Sequence, residues 1–139
     1  MNFPDEAKKI MDERFGCDTL IALATVGNSR PFVRAVNAYY ENGSFYIITN
    51  AQSRKMRQIA EDPAVSICGD WFTAEGVGVN KGHVLADENA EIIQKLRAVF
   101  DEWYGNGHVD EADKNTVILE CRLTRGVLFS HGTRYDIEF

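Results

Sequence analysis

Thr49, Ser53, Arg54 and Lys55 fall within one short stretch, Thr49-Asn50-Ala51-Gln52-Ser53-Arg54-Lys55. A β-rich run, Phe45-Tyr46-Ile47-Ile48, leads into it, and Met56, Ile59 and Ala60 continue out of it at helical spacing. The pattern is a strand, a polar turn and a helix start. The first amides of a helix have no intrahelical acceptor and stand at the positive end of its dipole, so such a corner receives anions readily. Two hydroxyls and two cations add to it. Cations in a first helical turn oppose the dipole and cost a few tenths to about 1 kcal/mol unless an anion sits there. Phosphate is the anion this chemistry suits. Arg34 is a second clue, in the strand Phe32-Val33-Arg34-Ala35-Val36. Counting back from the Asn42-Gly43 turn puts it near the far end of the third strand, not opposite Thr49, so only a twisted wall brings it to the corner. Lys and Arg on a helix are also commonly just solvated, and the cluster alone leaves that reading open.

Other chemistries find less support. No GxGxxG or GxxxxGK[ST] run occurs, and Ser29, Ser44, Ser53, Ser66 and Ser130 lack a GxSxG setting. His83, His108 and His131 have no Cys or Glu at ligand spacing, so no metal is expected. Cys17, Cys68 and Cys121 form neither a CxxC pair nor an even set, and Cys68 and Cys121 read as core residues of apolar strands. A net charge of −6 argues against nucleic acid, whose phosphates need Lys and Arg. No apolar run approaches the roughly 20 residues of a membrane span. The start, MNFPDEAKKIMDERF, lacks a signal peptide's apolar core. A single domain over 1–139, cytoplasmic and without membrane or nucleic-acid partners, is the expectation.

The elements that must hold the corner follow from periodicity. Residues 4–15 predict a helix closed by Gly16, with Ala7, Ile10, Met11 and Phe15 on one face. Strands are predicted at 19–26, 32–40 and 44–50, joined by Gly27-Asn28-Ser29-Arg30-Pro31 and by Glu41-Asn42-Gly43. A short helix spans 53–61, with Ser53 as N-cap and Pro63 closing the segment. Strands follow at 64–71 and 77–85, where Gly78 and Gly82 invite a bulge. A longer helix, capped by Asp87, runs to about Tyr104 on a stripe of Ile92, Ile93, Leu96, Val99, Phe100 and Trp103. An acidic loop over 105–115 and strands at 117–123, 126–130 and 134–139 complete the chain. Short connections make the strands antiparallel, and the order is not the βαβ alternation of a dinucleotide fold. The predicted class is mainly β: six or seven antiparallel strands in a closed or partly closed barrel with about three helices.

Taken in order, Arg34-Ala35-Val36, Phe45-Tyr46-Ile47-Ile48-Thr49-Asn50, Ser53-Arg54-Lys55 and Glu61-Asp62-Pro63 resemble the flavin-binding core of the pyridoxamine 5′-phosphate oxidase superfamily, over roughly residues 15–85. The second half, with Trp103-Tyr104, an acidic loop and a strand near Gly126–Ser130, is similar to the short general-stress-protein subgroup. The resemblance implies a split β-barrel of the FMN-binding type, a homodimer, and FMN at the subunit interface. It implies that Arg34, Ser53, Arg54 and Lys55 hold the phosphate, with Thr49 reaching the phosphate or ribityl chain. The backbones of Ala35, Val36, Ile48 and Asn50 would run along the ribityl chain and ring. An aromatic from the partner subunit can cover the ring in that subgroup, and Trp103 is its candidate here. Nitroimidazole-resistance relatives use a histidine near the flavin, a role for which His83, His108 and His131 are candidates.

The implied activity is a flavin-dependent reduction of a small-molecule acceptor. Enzymes that oxidise vitamin B6 phosphates carry a further C-terminal segment rich in Arg and Trp, so a different reaction is expected. Other expectations are a non-catalytic flavin-binding stress-response module, and a barrel that binds haem or another phosphorylated cofactor.

Overall fold

A computed structural model of the chain describes residues 2–139. The elements run α1 (Asp5–Phe15), β1 (Thr19–Gly27), β2 (Arg30–Glu41), β3 (Ser44–Asn50), α2 (Arg54–Glu61), β4 (Ala64–Gly69), β5 (Phe72–His83), α3 (Ala90–Val99), α4 (Asp101–Trp103), β6 (Thr116–Ser130) and β7 (Thr133–Glu138). Every strand pairing is antiparallel. The sheet order is β3-β2-β1-β4-β5-β6-β7, and β3 pairs back onto β6. Six strands therefore close a barrel, and β7 adds to its wall. The mainly-β barrel expected from the sequence is the observed fold.

The hairpins form where turn chemistry demands them. Asn42 (φ 47°) and Gly43 (φ 85°) both take the left-handed conformation that suits the twist of β2 and β3. Asn28 (φ 51°) and Ser29 (φ 63°) do the same between β1 and β2. Alternation then sorts the side chains. On β1, Ile21, Leu23 and Thr25 face inward and are buried, while Leu20, Ala22 and Ala24 take the other face. The barrel core stacks Phe45 between Phe15, Tyr40 and Phe72, with ring centroids 5.4–6.3 Å apart. A second core, Val84, Ile93, Leu96, Phe100 and Ile118, lies under α3.

Several boundaries differ from expectation. Residues 72–76, between two predicted strands, are themselves strand: Phe72 and Ala74 are buried and alternate with exposed Thr73 and Glu75, so β5 starts straight after a turn at Trp71 (φ 51°). The predicted break between 123 and 126 is a bulge inside one continuous β6, where pairing shifts from Glu75↔Arg125 to Gly76↔Leu123 and leaves Thr124 as the extra residue. The long helix does not reach Tyr104 unbroken. Asp87–Asn89 form a single 3₁₀ turn, α3 starts at Ala90, and the helix breaks at Phe100 (φ −95°, ψ 20°). Asp87 makes no side-chain cap. Fully buried Phe100 anchors the break, and the chain beyond it turns Trp103 toward Asp18. Cys121 is core, as expected, but Cys68 is exposed. Val65 and Ile67 take the inward positions of β4, and strict alternation puts Cys68 outside.

Phe45 is fully buried at the centre of the barrel cluster. Phe45→Ala is expected to destabilise the protein by about 3–5 kcal/mol, through lost burial and an unfilled cavity. Urea unfolding checks this, and a loss under about 1 kcal/mol would show that the site collapses around the change.

A cationic corner in the split of the barrel

β2 and β3 pair only over Tyr39–Glu41 and Ser44–Tyr46. Beyond Tyr39 the two strands part. β2 follows β1 as far as Arg30, and β3 follows β6 from Ser44 to Asn50. The gap opens into a cleft of about 470 Å³ lined by Val36, Asn37, Ile47, Ile48, Lys55, Trp103 and His108. Separation of the two strands also explains how Arg34 reaches the corner. It lies opposite Leu23 on β1, not opposite β3, and shares the inward parity of Phe32 and Val36.

α2 begins at the end of the split. Asn50 shapes the approach: its carbonyl accepts from Ser53 N (3.0 Å) and its Oδ1 from Gln52 N (2.8 Å). The helical ladder starts with Arg57 N donating to Ser53 O (3.1 Å), so the amides of Arg54, Lys55 and Met56 lie ahead of it. Ser53 occupies the N-cap position, as expected, yet its hydroxyl makes no cap bond. Its Oγ is buried and has no hydrogen-bond partner. Leaving a buried hydroxyl unpaired costs about 1–3 kcal/mol. The first turn of α2 holds no acidic residue. Gly78 lets the helix lie close on β5, where a Cβ would meet Ile59 at 3.0 Å.

Arg34, Arg54 and Lys55 converge there, and among the described residues none forms an ion pair with a carboxylate. Burial lowers the Lys55 ammonium's pKa, and the nearby Arg34 charge lowers it further. Arg34 is likewise lowered by burial and then by the charge of Arg54. Arg34 is held by neutral acceptors: its Nη1 donates to Thr25 Oγ1 (2.8 Å) and Leu23 O (3.3 Å), and its Nη2 approaches Gln58 Oε1 (3.5 Å). Arg54 lies 5.6 Å from the Phe32 ring centroid, a cation–π contact.

The remaining predicted residues divide. Val36 and Ile48 line the cleft, and Thr49 is half-buried on the same strand. Ala35 has the opposite parity to Arg34 and Val36, and its side chain lies on the outer face with Val33 and Asn37. The Asn50 side chain is spent on its turn. Trp103 lines the cleft of its own chain, where its Nε1 donates to Asp18 Oδ2 (2.9 Å) and its ring packs on Phe100 (4.8 Å). Of the three histidines only His108 lines the cleft. His83 is tied up between Glu111 O (2.9 Å) and Leu85 N (3.3 Å), and His131 lies in the β6–β7 turn beside Ser130 Oγ.

Asp18, Asn37, Thr25 and Gln58 also belong to the site, and no sequence motif marks them. Asp18 also accepts from Asn37 Nδ2 (3.0 Å) and so ties the mouth of the cleft together. The available signal for Thr25 is a hydroxyl in line with the inward Ile21 and Leu23 of a largely apolar strand.

An unpaired buried hydroxyl, free helix amides and three uncompensated cations fit a phosphate dianion. The apolar walls of Val36, Ile48 and Trp103 beside them fit a flat ring system, so the corner and cleft suit FMN. Among the described residues no group of three or more His, Cys, Asp and Glu side chains could hold a metal ion. No described helix is long and apolar enough to cross a membrane.

No curated protein matches by sequence. The fold matches general stress protein 26 from Bacillus anthracis (TM-score 0.69, 18% identity, covering 94% of this chain and 98% of that one). It also matches a FAD-binding protein from Mesorhizobium loti (0.62, 14% identity, 90% and 92%) and a haem-binding protein from Mycobacterium smegmatis (0.71, 16% identity, 99% and 60%). At such identities the likeness is one of fold. The family model for pyridoxamine 5′-phosphate oxidase, however, matches residues 7–128, nearly the whole barrel. The chain belongs to the pyridoxamine 5′-phosphate oxidase family and has its split-barrel fold.

Proposed function

We propose that this protein binds FMN, with the phosphate at the β3–α2 corner and the ring in the split, and acts as a flavin-dependent reductase of a small-molecule acceptor. The observation that carries the reading is the buried, partnerless Ser53 hydroxyl among Arg34, Arg54 and Lys55. Ser53 Oγ and the first amides of α2 would donate to phosphate oxygens, and the three cations would balance its charge. Val36, Ile48 and Trp103 would flank the ring and exclude water. Asp18, holding the indole by its N–H, would fix the plane that Trp103 presents. When bound, the flavin supplies hydride or one-electron transfer. Among the described residues no nucleophile–base pair lines the cleft, and the chain would contribute binding, orientation and solvent exclusion. The alternative is a non-catalytic flavin module, which steady-state NAD(P)H oxidation with candidate acceptors separates from a reductase. The His108 imidazole at the cleft wall supports haem as the competing ligand.

A homodimer is part of the proposal. Leu20 and Val33 are 64% and 69% exposed on the outer face of β1 and β2, among the small side chains Ala22, Ala24, Ser66 and Cys68. Asn37 continues the parity of Val33 at the cleft mouth, so this face runs into the split. A second copy on it would overhang the cleft and bury more of a flavin ring than one barrel can. Val33→Asp is expected to give a monomer by sedimentation with weakened FMN binding. A variant that stays a dimer places the interface elsewhere.

The absorbance of protein purified after expression with added riboflavin tests the cofactor: a band near ~450 nm supports flavin and one near ~400 nm supports haem. Lys55→Ala and Arg34→Ala should each weaken FMN binding roughly 10- to 100-fold and purify folded but colourless. Full yellow occupancy in both would refute the assignment.

The lowered Lys55 pKa has a cost in the cofactor-free protein. A charge disfavoured in the folded state destabilises it below the folded pKa, and the penalty lifts as pH rises through that value toward the unfolded 10.5. Cofactor-free Lys55→Met should therefore melt no lower than wild type at pH 7, and inorganic phosphate should raise the wild-type Tm more than the variant's. A variant Tm several degrees below wild type would contradict an uncompensated Lys55.

A further inference from the structure

Arg34 rests only on uncharged acceptors, although a carboxylate would hold a guanidinium more strongly. Thr25 is 1% exposed, on the inward face of β1. Its Oγ1 accepts from Arg34 Nη1 (2.8 Å) and donates to Gln58 Oε1 (2.5 Å) on α2. Gln58 Oε1 also faces Arg34 Nη2 (3.5 Å), and Leu23 O completes the set (3.3 Å). The Gln58 amide is pressed against Gly27, where a Cβ would come within 2.7 Å of Nε2. Gly27 thus leaves the space through which Gln58 reaches Thr25. The chain joins β1, β2 and α2 beneath the corner and occupies one edge of the guanidinium, while the full positive charge stays uncompensated.

We propose that Thr25 and Gln58 are positioning residues that aim Arg34 at the ligand phosphate and, being neutral, preserve its charge for that phosphate. The proposal rests on the flavin reading above. It assigns a reason to two features that packing alone does not require: a hydroxyl in an apolar strand, and an amide where the isosteric carboxylate would pair with Arg34. Thr25→Val keeps the volume and removes the acceptor, freeing the guanidinium to turn. Gln58→Glu keeps the shape and supplies the missing negative charge, which would neutralise Arg34 and repel a phosphate.

Titrating cofactor-free protein with FMN and with riboflavin, followed by flavin fluorescence, tests this. Thr25→Val and Gln58→Glu should each weaken FMN binding about tenfold or more, the scale of one lost hydrogen bond to a charged group. Riboflavin, which has no phosphate, should bind each variant as it binds wild type. Thr25→Ser, which keeps the hydroxyl, should bind FMN within about threefold of wild type. In an Arg34→Ala background, Thr25→Val should change FMN affinity less than twofold, because its effect passes through Arg34. Gln58→Glu should also melt no lower than wild type without cofactor, since it pairs a half-buried cation. Wild-type FMN affinity in both variants, or parallel losses for FMN and riboflavin, would overturn the positioning role while leaving the flavin reading intact. A wild-type protein that binds neither flavin would overturn the flavin reading and this role with it.

Discussion

Positive charge without a counterion governs this molecule. Arg34, Arg54 and Lys55 meet where α2 begins, and burial and mutual repulsion lower the pKa values of Arg34 and Lys55. Elsewhere on the surface the chain pairs its charges freely: Lys95 with Glu41 at 2.7 Å, Arg97 with Glu111 at 2.7 Å, Arg134 with Asp136 at 2.9 Å. With 21 acidic residues against 15 basic ones, carboxylates are not scarce. They are kept from one corner, where a buried serine hydroxyl also has no partner. Local unfavourable choices of this kind gather where a ligand completes the structure.

The barrel makes the corner possible by failing to close in one place. Had β2 stayed on β3 past Tyr39, Val36 and Ile48 would stand in a continuous wall and Arg34 would face a neighbouring strand. Splitting the pair opens a cleft between two walls that are each fully hydrogen-bonded on their other side, to β1 and to β6. α2 covers the end of the split and brings its amides to it. The break at Phe100 is part of the same design, because a straight helix would carry Trp103 onward along α3 instead of toward Asp18.

Much of this was legible in the residues, for physical reasons. Asn-Gly and Asn-Ser turns, the β-rich apolar runs between them and the stop at Pro63 set the first four strands and α2 to within a residue or two. The Ser53-Arg54-Lys55 run stood out because it defies the helix dipole. What stayed hidden depends on three-dimensional pairing. Strand periodicity does not say where two neighbours part, so it does not fix Arg34, whose partner beside the corner is β1 and not β3. A bulge at Thr124 looks in sequence like a break, and buried Phe100 interrupts a helix whose apolar stripe reads as continuous. Cys68 looked like core because its strand is apolar, yet alternation turns it out. The Thr25–Gln58 contact joins residues 33 apart and carries no motif.

A crystal structure of the protein with FMN bears most directly on the account. The phosphate is expected within hydrogen-bond reach of Ser53 Oγ, the first amides of α2 and the side chains of Arg34 and Lys55, with the ring between Val36, Ile48 and Trp103. An FMN bound elsewhere, with the corner holding only water and its cations turned to bulk solvent, would contradict it.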